Sequence, residues 1–236
     1  MNSWKTGVLL SILFLSFAHP SFALERANLL LYVSFERDIM PAVSGGKIGS
    51  GSTEIKFLYG TEKDVELVPG VRGTGLKAKP NLSFQYLTRE SFSRKEGTIA
   101  FWVKPTGWSG LSIGRNFLFV RSDRVSINFY IYPGGLMLFF GIPNKYYLIY
   151  PSGDQRDPFR DGEWTFLAGT FRPGEQSFYV NGRFMNTMTE GLLEPEFSRR
   201  GIVEIACGNQ VLDEIMVFDR VLTEKEIEAV YKANSP

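Results

Sequence analysis

The sequence predicts an all-β fold, an antiparallel two-sheet sandwich that finishes in a short C-terminal helix. Three observations point there. From Leu29 onward, short aromatic and β-branched runs are separated by Gly, Pro and Asn. Asn181-Gly182 lies between two alternating stretches, a strong hairpin signal. One segment, after Thr223, carries both helix-start signals and helical periodicity.

The first 23 residues are set apart from the fold. Lys5 gives a positive start, Val8 to Ala18 is apolar apart from Ser11 and Ser16, and Ser21-Phe22-Ala23 places small residues three and one before a cut. This is the pattern of a secretory signal peptide over residues 1–23. The apolar run is about half of the ~20 residues needed to cross a bilayer. The expectation is therefore an exported chain, secreted or held in a periplasm or at a cell surface, with residues 24–236 as one domain. No cysteine near the cut offers a lipid anchor, and no second apolar segment is long enough to span a membrane.

The strands follow in order. Leu29 to Phe35 is the first. Thr98 to Lys104 places Ile99, Phe101 and Val103 on one face and Ala100 and Trp102 on the other. Phe117 to Arg121, Val125 to Tyr132, Leu136 to Ile142 and Tyr146 to Tyr150 form a meander. Its turns are expected at Arg121 to Arg124, Pro133-Gly134-Gly135 and Pro143-Asn144. Trp164 to Phe171 places Trp164, Phe166 and Ala168 on one face, with Trp102 and Trp164 expected in the core. Pro173-Gly174 turns this strand into the hairpin Gln176 to Met188. The Gly- and Ser-rich stretch from Pro41 to Gly75 gives no clear element, and the chain has no internal repeat.

The helix starts at Thr223, which forms a capping box with Glu226, while Leu222 and Ile227 occupy hydrophobic-staple positions. Ile227, Val230 and Tyr231 share one face. Glu224, Lys225, Glu228 and Lys232 cover the other. About three turns are marginal alone in water, so this helix must dock on the sandwich.

Composition removes several functions. The net charge is +1 with no long basic run, which argues against nucleic acid and a polybasic membrane surface. The one histidine, His19, lies in the leader, so the mature chain has no imidazole for a Ser-His-Asp system or a zinc site. Cys207 is the sole cysteine and reads as a small core residue; no internal disulfide can form.

Several stretches resemble one family in order. Gly97 to Pro105 (GTIAFWVKP), Asp161 to Phe171 (DGEWTFLAGTF) and Phe178 to Gly182 (FYVNG) are similar to the core strands and hairpin of LamG-like jelly-roll domains of the concanavalin A-like class. Leu212 to Thr223 (LDEIMVFDRVLT), with Glu226, Ile227 and Tyr231, resembles that family's closing strand and helix. Residues 29–35 and 70–77 fit its opening. The resemblance implies a jelly roll, but the fold hosts lectins, glycan hydrolases, adhesion modules and inert spacers.

The resemblance also implies a structural calcium held by Glu36 and Asp213. Here the loop Ala42 to Gly46 lacks the acidic residue usual in the family. Asp213 accepting loop hydrogen bonds without a metal stays open beside the calcium reading. For catalysis, a retaining glycosidase needs carboxyl groups ~5–5.5 Å apart. Strand alternation sends Asp213 and Glu214 to opposite faces, and Ile215 and Met216 give neither a same-face partner. A loop-borne pair, Asp154 with Asp157 or Asp161, remains the hydrolase alternative.

A glycan site needs exposed aromatic platforms. The candidates are Trp108, in the loop Thr106 to Gly114, with Tyr146 and Tyr150, which share a strand face with Leu148. Tyr130 and Tyr132 share the face opposite Phe129 and Ile131, and Tyr147 is a further candidate. Asn81-Leu82-Ser83 is a glycosylation sequon in a eukaryotic secretory pathway. The expectation is an exported, non-catalytic module that binds carbohydrate or an extracellular protein. A glycoside hydrolase acting on extracellular polysaccharide is the alternative, and a purely structural domain has the same signature as the first reading.

Overall fold

A computed structural model of the chain describes residues 28–236, apart from 52, 93–94, 112–113, 123–124, 133–134, 143–144, 190–199 and 207. The leader 1–23, Cys207 and parts of three predicted turns lie outside the described residues. Among the described residues, no helix is long and apolar enough to cross a membrane.

The strands in chain order are Leu29–Val33 (β1), Val43–Ser44 (β2), Lys47–Ile48 (β3), Glu54–Tyr59 (β4), Leu67–Pro69 (β5) and Thr74–Ala78 (β6). Ser83–Arg89 (β7), Gly97–Pro105 (β8), Arg115–Arg121 (β9), Ser126–Tyr132 (β10), Gly135–Ile142 (β11) and Lys145–Ile149 (β12) follow. Thr165–Arg172 (β13), Glu175–Val180 (β14), Arg183–Met188 (β15), Arg200–Ile205 (β16) and Gln210–Phe218 (β17) complete them, before the helix Glu224–Ala233 (α1).

They form two antiparallel sheets. The larger runs β15-β14-β13-β8-β17-β1-β2-β3, with β6 also on β17 and β5 on β6; the smaller runs β12-β11-β10-β9-β16-β7-β4. This is the expected all-β jelly-roll sandwich. Its core lies between the sheets, where Phe101, Phe129, Phe178, Leu138 and Leu167 meet. At Gly169 the sheets approach closely, since a Cβ there would stand 2.9 Å from Leu138 Cδ2 and 3.1 Å from Phe129 Cζ.

The two sheets differ on their outer faces. All nine residues of β17 are buried, and so are eight of the nine in β8. These strands have lost the usual alternation because α1 covers the side of the sheet that faces away from the core. Ile227, Val230 and Leu222 pack there with Trp102, Phe166, Ala168, Met216 and Phe218. The Thr223–Glu226 capping box forms as expected. By contrast, β10 alternates between buried and more open positions, because the outer face of the smaller sheet meets solvent.

The hairpin β14–β15 turns through Asn181 at φ 49° and Gly182 at φ 74°, the positive pair that the Asn-Gly signal requires. Asn181 also closes the turn on β13, its Oδ1 accepting from the Phe166 N–H at 2.9 Å. Trp164 departs from the sequence reading. It sits just before β13, half-buried at the rim of the outer cluster, with Lys104 Nζ 4.7 Å from its ring centroid. The unassigned stretch from Pro41 contains β2 to β5. Two of these strands have two residues and one has three, and β4 is an edge strand with four of its six residues exposed, so none carries a strong hydrophobic period.

Candidate functional site

The open face of the smaller sheet gathers aromatic side chains. Tyr130 pairs with Met137, Ser126 with Gly141, and Gly141 in turn with Tyr146, so β10, β11 and β12 present one continuous face. Its outward positions carry Tyr130 and Tyr132 on β10, Met137 on β11, and Tyr146 and Leu148 on β12, with Tyr150 just past the end of that strand. Tyr146 is 68% exposed, Tyr132 58% and Tyr150 40%. Tyr130 and Tyr132 meet edge to face with centroids 6.4 Å apart. Met137 lies between Tyr130 and the Tyr150 end of β12 and is buried.

Burial pushes the Tyr130 phenol up, and the hydroxyls of Tyr150, Tyr132 and Tyr146 push it further, so the four groups share one neighbourhood. Tyr150 is held at the strand end by Asn186, whose Nδ2 donates to the Tyr150 carbonyl at 3.3 Å. Beyond the tyrosines, Asn128 Nδ2 donates to Asn116 Oδ1 at 3.1 Å. Tyr146 and Tyr150 therefore share one face, as the strand period predicts, and the structure shows both exposed there. Tyr147 turns the other way and packs on the core.

Trp108 corrects the sequence reading. It is only 9% exposed. Its ring stacks on Phe117 and meets Phe159 at 5.5 Å, its Nε1 donates to the Asn209 carbonyl, and the Arg115 guanidinium lies over it at 4.4 Å. The loop from Thr106 folds back over the sandwich end, so Trp108 plugs the core and offers no platform.

The loop carboxylates are engaged in holding loops. Asp161 Oδ1 accepts from the Gly107 N–H at 2.7 Å, and the Asp161 N–H donates to Ser109 Oγ at 2.8 Å. Asp157 stands 3.6 Å from Arg160 Nη1. The Asp154 side chain lies outside the described atoms.

Asp213 and Glu214 also depart from expectation. The pairing of β17 with β8 slips between Asp213 and Met216, and Glu214 sits at φ 50°. This bulge suspends alternation, so Leu212 and Ile215 both face the core with two residues between them. Both carboxyl groups turn to the outer side of the larger sheet. Glu214 accepts from the Tyr32 hydroxyl at 2.9 and 2.8 Å. Asp213 Oδ2 accepts from the backbone N–H groups of Val71 at 2.9 Å and Arg72 at 3.3 Å, and Oδ1 from that of Glu214 at 2.8 Å. Burial, and then the neighbouring Glu214, push the Asp213 carboxyl up to about 8.

Glu36 and Asp213 both meet the turn between β5 and β6. A side chain at Gly70 would run into the Asp213 carboxylate, and one at Gly73 into that of Glu36. Calcium takes six to eight oxygen ligands. Three N–H donors already point at Asp213, Glu36 is exposed, and among the described residues no group of three or more Asp, Glu, His or Cys is gathered for a metal. This donor set fits a carboxylate that fastens a turn.

The family model of the concanavalin A-like lectin/glucanases superfamily matches residues 82–228. The chain belongs to this superfamily. No curated protein matches it. Among solved structures, domain 4 of AbnA, a GH43 extracellular arabinanase from Geobacillus stearothermophilus, in complex with arabinotriose, superposes with a TM-score of 0.66 at 17% identity. That match covers 87% of this chain and 98% of that one. A botulinum neurotoxin type C structure, described by the dependence of cell entry on interaction with two ganglioside molecules, gives a TM-score of 0.67 at 16% identity. It covers 91% of this chain and 53% of that one. The binding domain of botulinum neurotoxin DC in complex with SialylT gives 0.66 at 15% identity, covering 89% and 52%. This superfamily member thus spans about half the length of the neurotoxin chains and nearly all of the arabinanase domain. At such identities the likeness establishes the jelly-roll fold.

Proposed function

We propose that the chain is an exported, non-catalytic module that binds glycan on the outer face of β10, β11 and β12. The observation that carries this reading is the exposed tyrosine group, Tyr132, Tyr146 and Tyr150, on a face that the other described residues leave open. Aromatic rings offer apolar faces to the C–H groups of sugars, and their hydroxyls and the adjacent Asn side chains offer hydrogen bonds. Superfamily membership supports the reading, as do two fold neighbours, one in complex with arabinotriose and one from a neurotoxin whose cell entry depends on interaction with two ganglioside molecules. The leader over residues 1–23 supports export.

A glycan array probed with residues 24–236 tests it. Binding that disappears in the Tyr146→Ala/Tyr150→Ala double variant, with an unchanged melting temperature, supports the site; an array with no hits overturns it. For export, mass spectrometry of the secreted protein should find an N-terminus at Leu24.

Glu36 and Asp213 serve the turn between β5 and β6 in this proposal. Addition of 5 mM-scale calcium or a chelator should leave the melting temperature in place, whereas a bound ion would raise it in proportion to ln(1 + [L]/Kd).

A further inference from the structure

We infer that the tyrosine face takes an internal stretch of an uncharged, linear glycan at least three sugar rings long, laid along β12. The inference rests on the glycan-binding reading above and adds the length and charge of the ligand.

Length follows from strand geometry. Tyr146 lies on the outward face of β12, and Tyr150, four residues on and just past the end of the strand, has the same parity. At about 3.3 Å per residue their Cα atoms are roughly 13 Å apart, farther than two sugar rings laid end to end can reach. A ligand that stacks on both must carry a third ring between them, above Leu148. At the Tyr146 end the paired position on β11 is Gly141, which sets no side chain beside the track. The Tyr150 end continues sideways to Tyr130 and Tyr132, two strands or about 10 Å away. A chain that bends or branches there meets further rings.

Charge follows from composition of the face. The outward positions of the three strands are Ser126, Asn128, Tyr130 and Tyr132, then Gly135, Met137, Phe139 and Gly141, then Tyr146, Leu148 and Tyr150. None is ionised at neutral pH. Lys145 has the opposite strand parity, and Arg121 lies on β9 with its guanidinium over Phe119 at 5.6 Å from the ring centroid. Among the described residues, a sialylated or uronic-acid chain would find no cation at the outward positions of the Tyr146–Tyr150 track. A neutral chain needs none.

The two stacking points act on one ligand, so the second contact is intramolecular once the first is made. Affinity should therefore rise in a step with chain length.

The test is a size-resolved array of neutral and anionic oligosaccharides of one to eight units, followed by titration calorimetry on the best neutral series. The expected result is a gain of tenfold or more between two and four units. Tyr146→Ala should abolish that gain while leaving the two-unit affinity within about twofold, and its melting temperature should match the parent. Binding as tight to one unit as to six, or binding confined to anionic chains, with loss in the Tyr150→Ala variant, overturns this inference and leaves the site reading intact. Glycan binding that neither tyrosine variant changes, or no binding at all, overturns the site reading and this inference with it.

Discussion

The Tyr231 ring of α1 stacks on the Trp102 indole of β8, with centroids 5.4 Å apart and planes 21° apart. Phe166 closes a third side at 5.9 Å, and the β14–β15 turn closes a fourth, since a Cβ at Gly182 would stand 2.9 Å from Tyr231 Cδ1. One helix side chain thus ties the middle of the larger sheet to the hairpin turn. Tyr231→Ala should lower stability by about 2 kcal/mol, less than for a fully buried ring because Tyr231 is half-buried. Gly182→Ala should cost a similar ~1–2 kcal/mol, combining left-handed backbone with the approach to Tyr231. Denaturant midpoints read both, and an unchanged midpoint for Tyr231→Ala would show that the helix does not clamp the sheet.

Trp108 fills the end of the core between Phe117 and Phe159. Trp108→Ala should therefore destabilise the fold by ~3–5 kcal/mol. Below the melting transition, the variant should keep the glycan affinity of the parent. Selective loss of binding with stability intact would return Trp108 to the role of a platform.

Local rules made some of this fold readable and tertiary closure hid the rest. The Asn181-Gly182 turn and the Thr223–Glu226 box depend on neighbouring residues alone, and both were legible. So was the shared face of Tyr146 and Tyr150, which needs only a period of two. That this face stays open was not, because it depends on α1 covering the other sheet. Trp108 looked exposed because its loop is rich in Gly and Ser; Phe159, some fifty residues later, buries it. The Asp213–Glu214 bulge has no local signature, since a glutamate at φ 50° is uncommon and nothing in the sequence marks it. The strands from Val43 to Pro69 were missed because short edge strands carry too few alternations to show a period.

Tyr32 and Glu214 form a contact that the bulge creates. The phenol donates to both carboxylate oxygens, and burial, followed by the Glu214 charge, raises the Tyr32 hydroxyl well above its ordinary value. The hydroxyl therefore stays protonated and donating. Tyr32→Phe removes the donor while Glu214 remains buried, so it should cost about 1–3 kcal/mol. Thermal denaturation at pH 7 checks it. Equal melting temperatures for parent and variant would mean that the other partners of Glu214 suffice.

The entry to α1 should set the acid limit of the clamp. Arg220 donates to Glu226 through Nη2 at 2.7 Å and Nη1 at 3.0 Å, and Glu226 also accepts from the Thr223 N–H and hydroxyl. Arg220 first, and the Thr223 hydrogen bonds after it, hold the Glu226 carboxyl down at about 2. The folded value lies below the unfolded one of 4.5, so the stabilisation is fully present above pH 4.5 and is lost as pH falls through about 2. Both side chains are about one-third exposed, and solvent screening reduces the contribution to about 1–2 kcal/mol. Stability measured at pH 6, 4 and 2.5 should fall over that window in the parent. Arg220→Met should be less stable at pH 6 by that amount and show a flatter acid limb, because Glu226 then titrates nearer to its unfolded value. Parallel acid limbs in the two proteins would mean that the Arg220–Glu226 pair contributes nothing to the docking of α1.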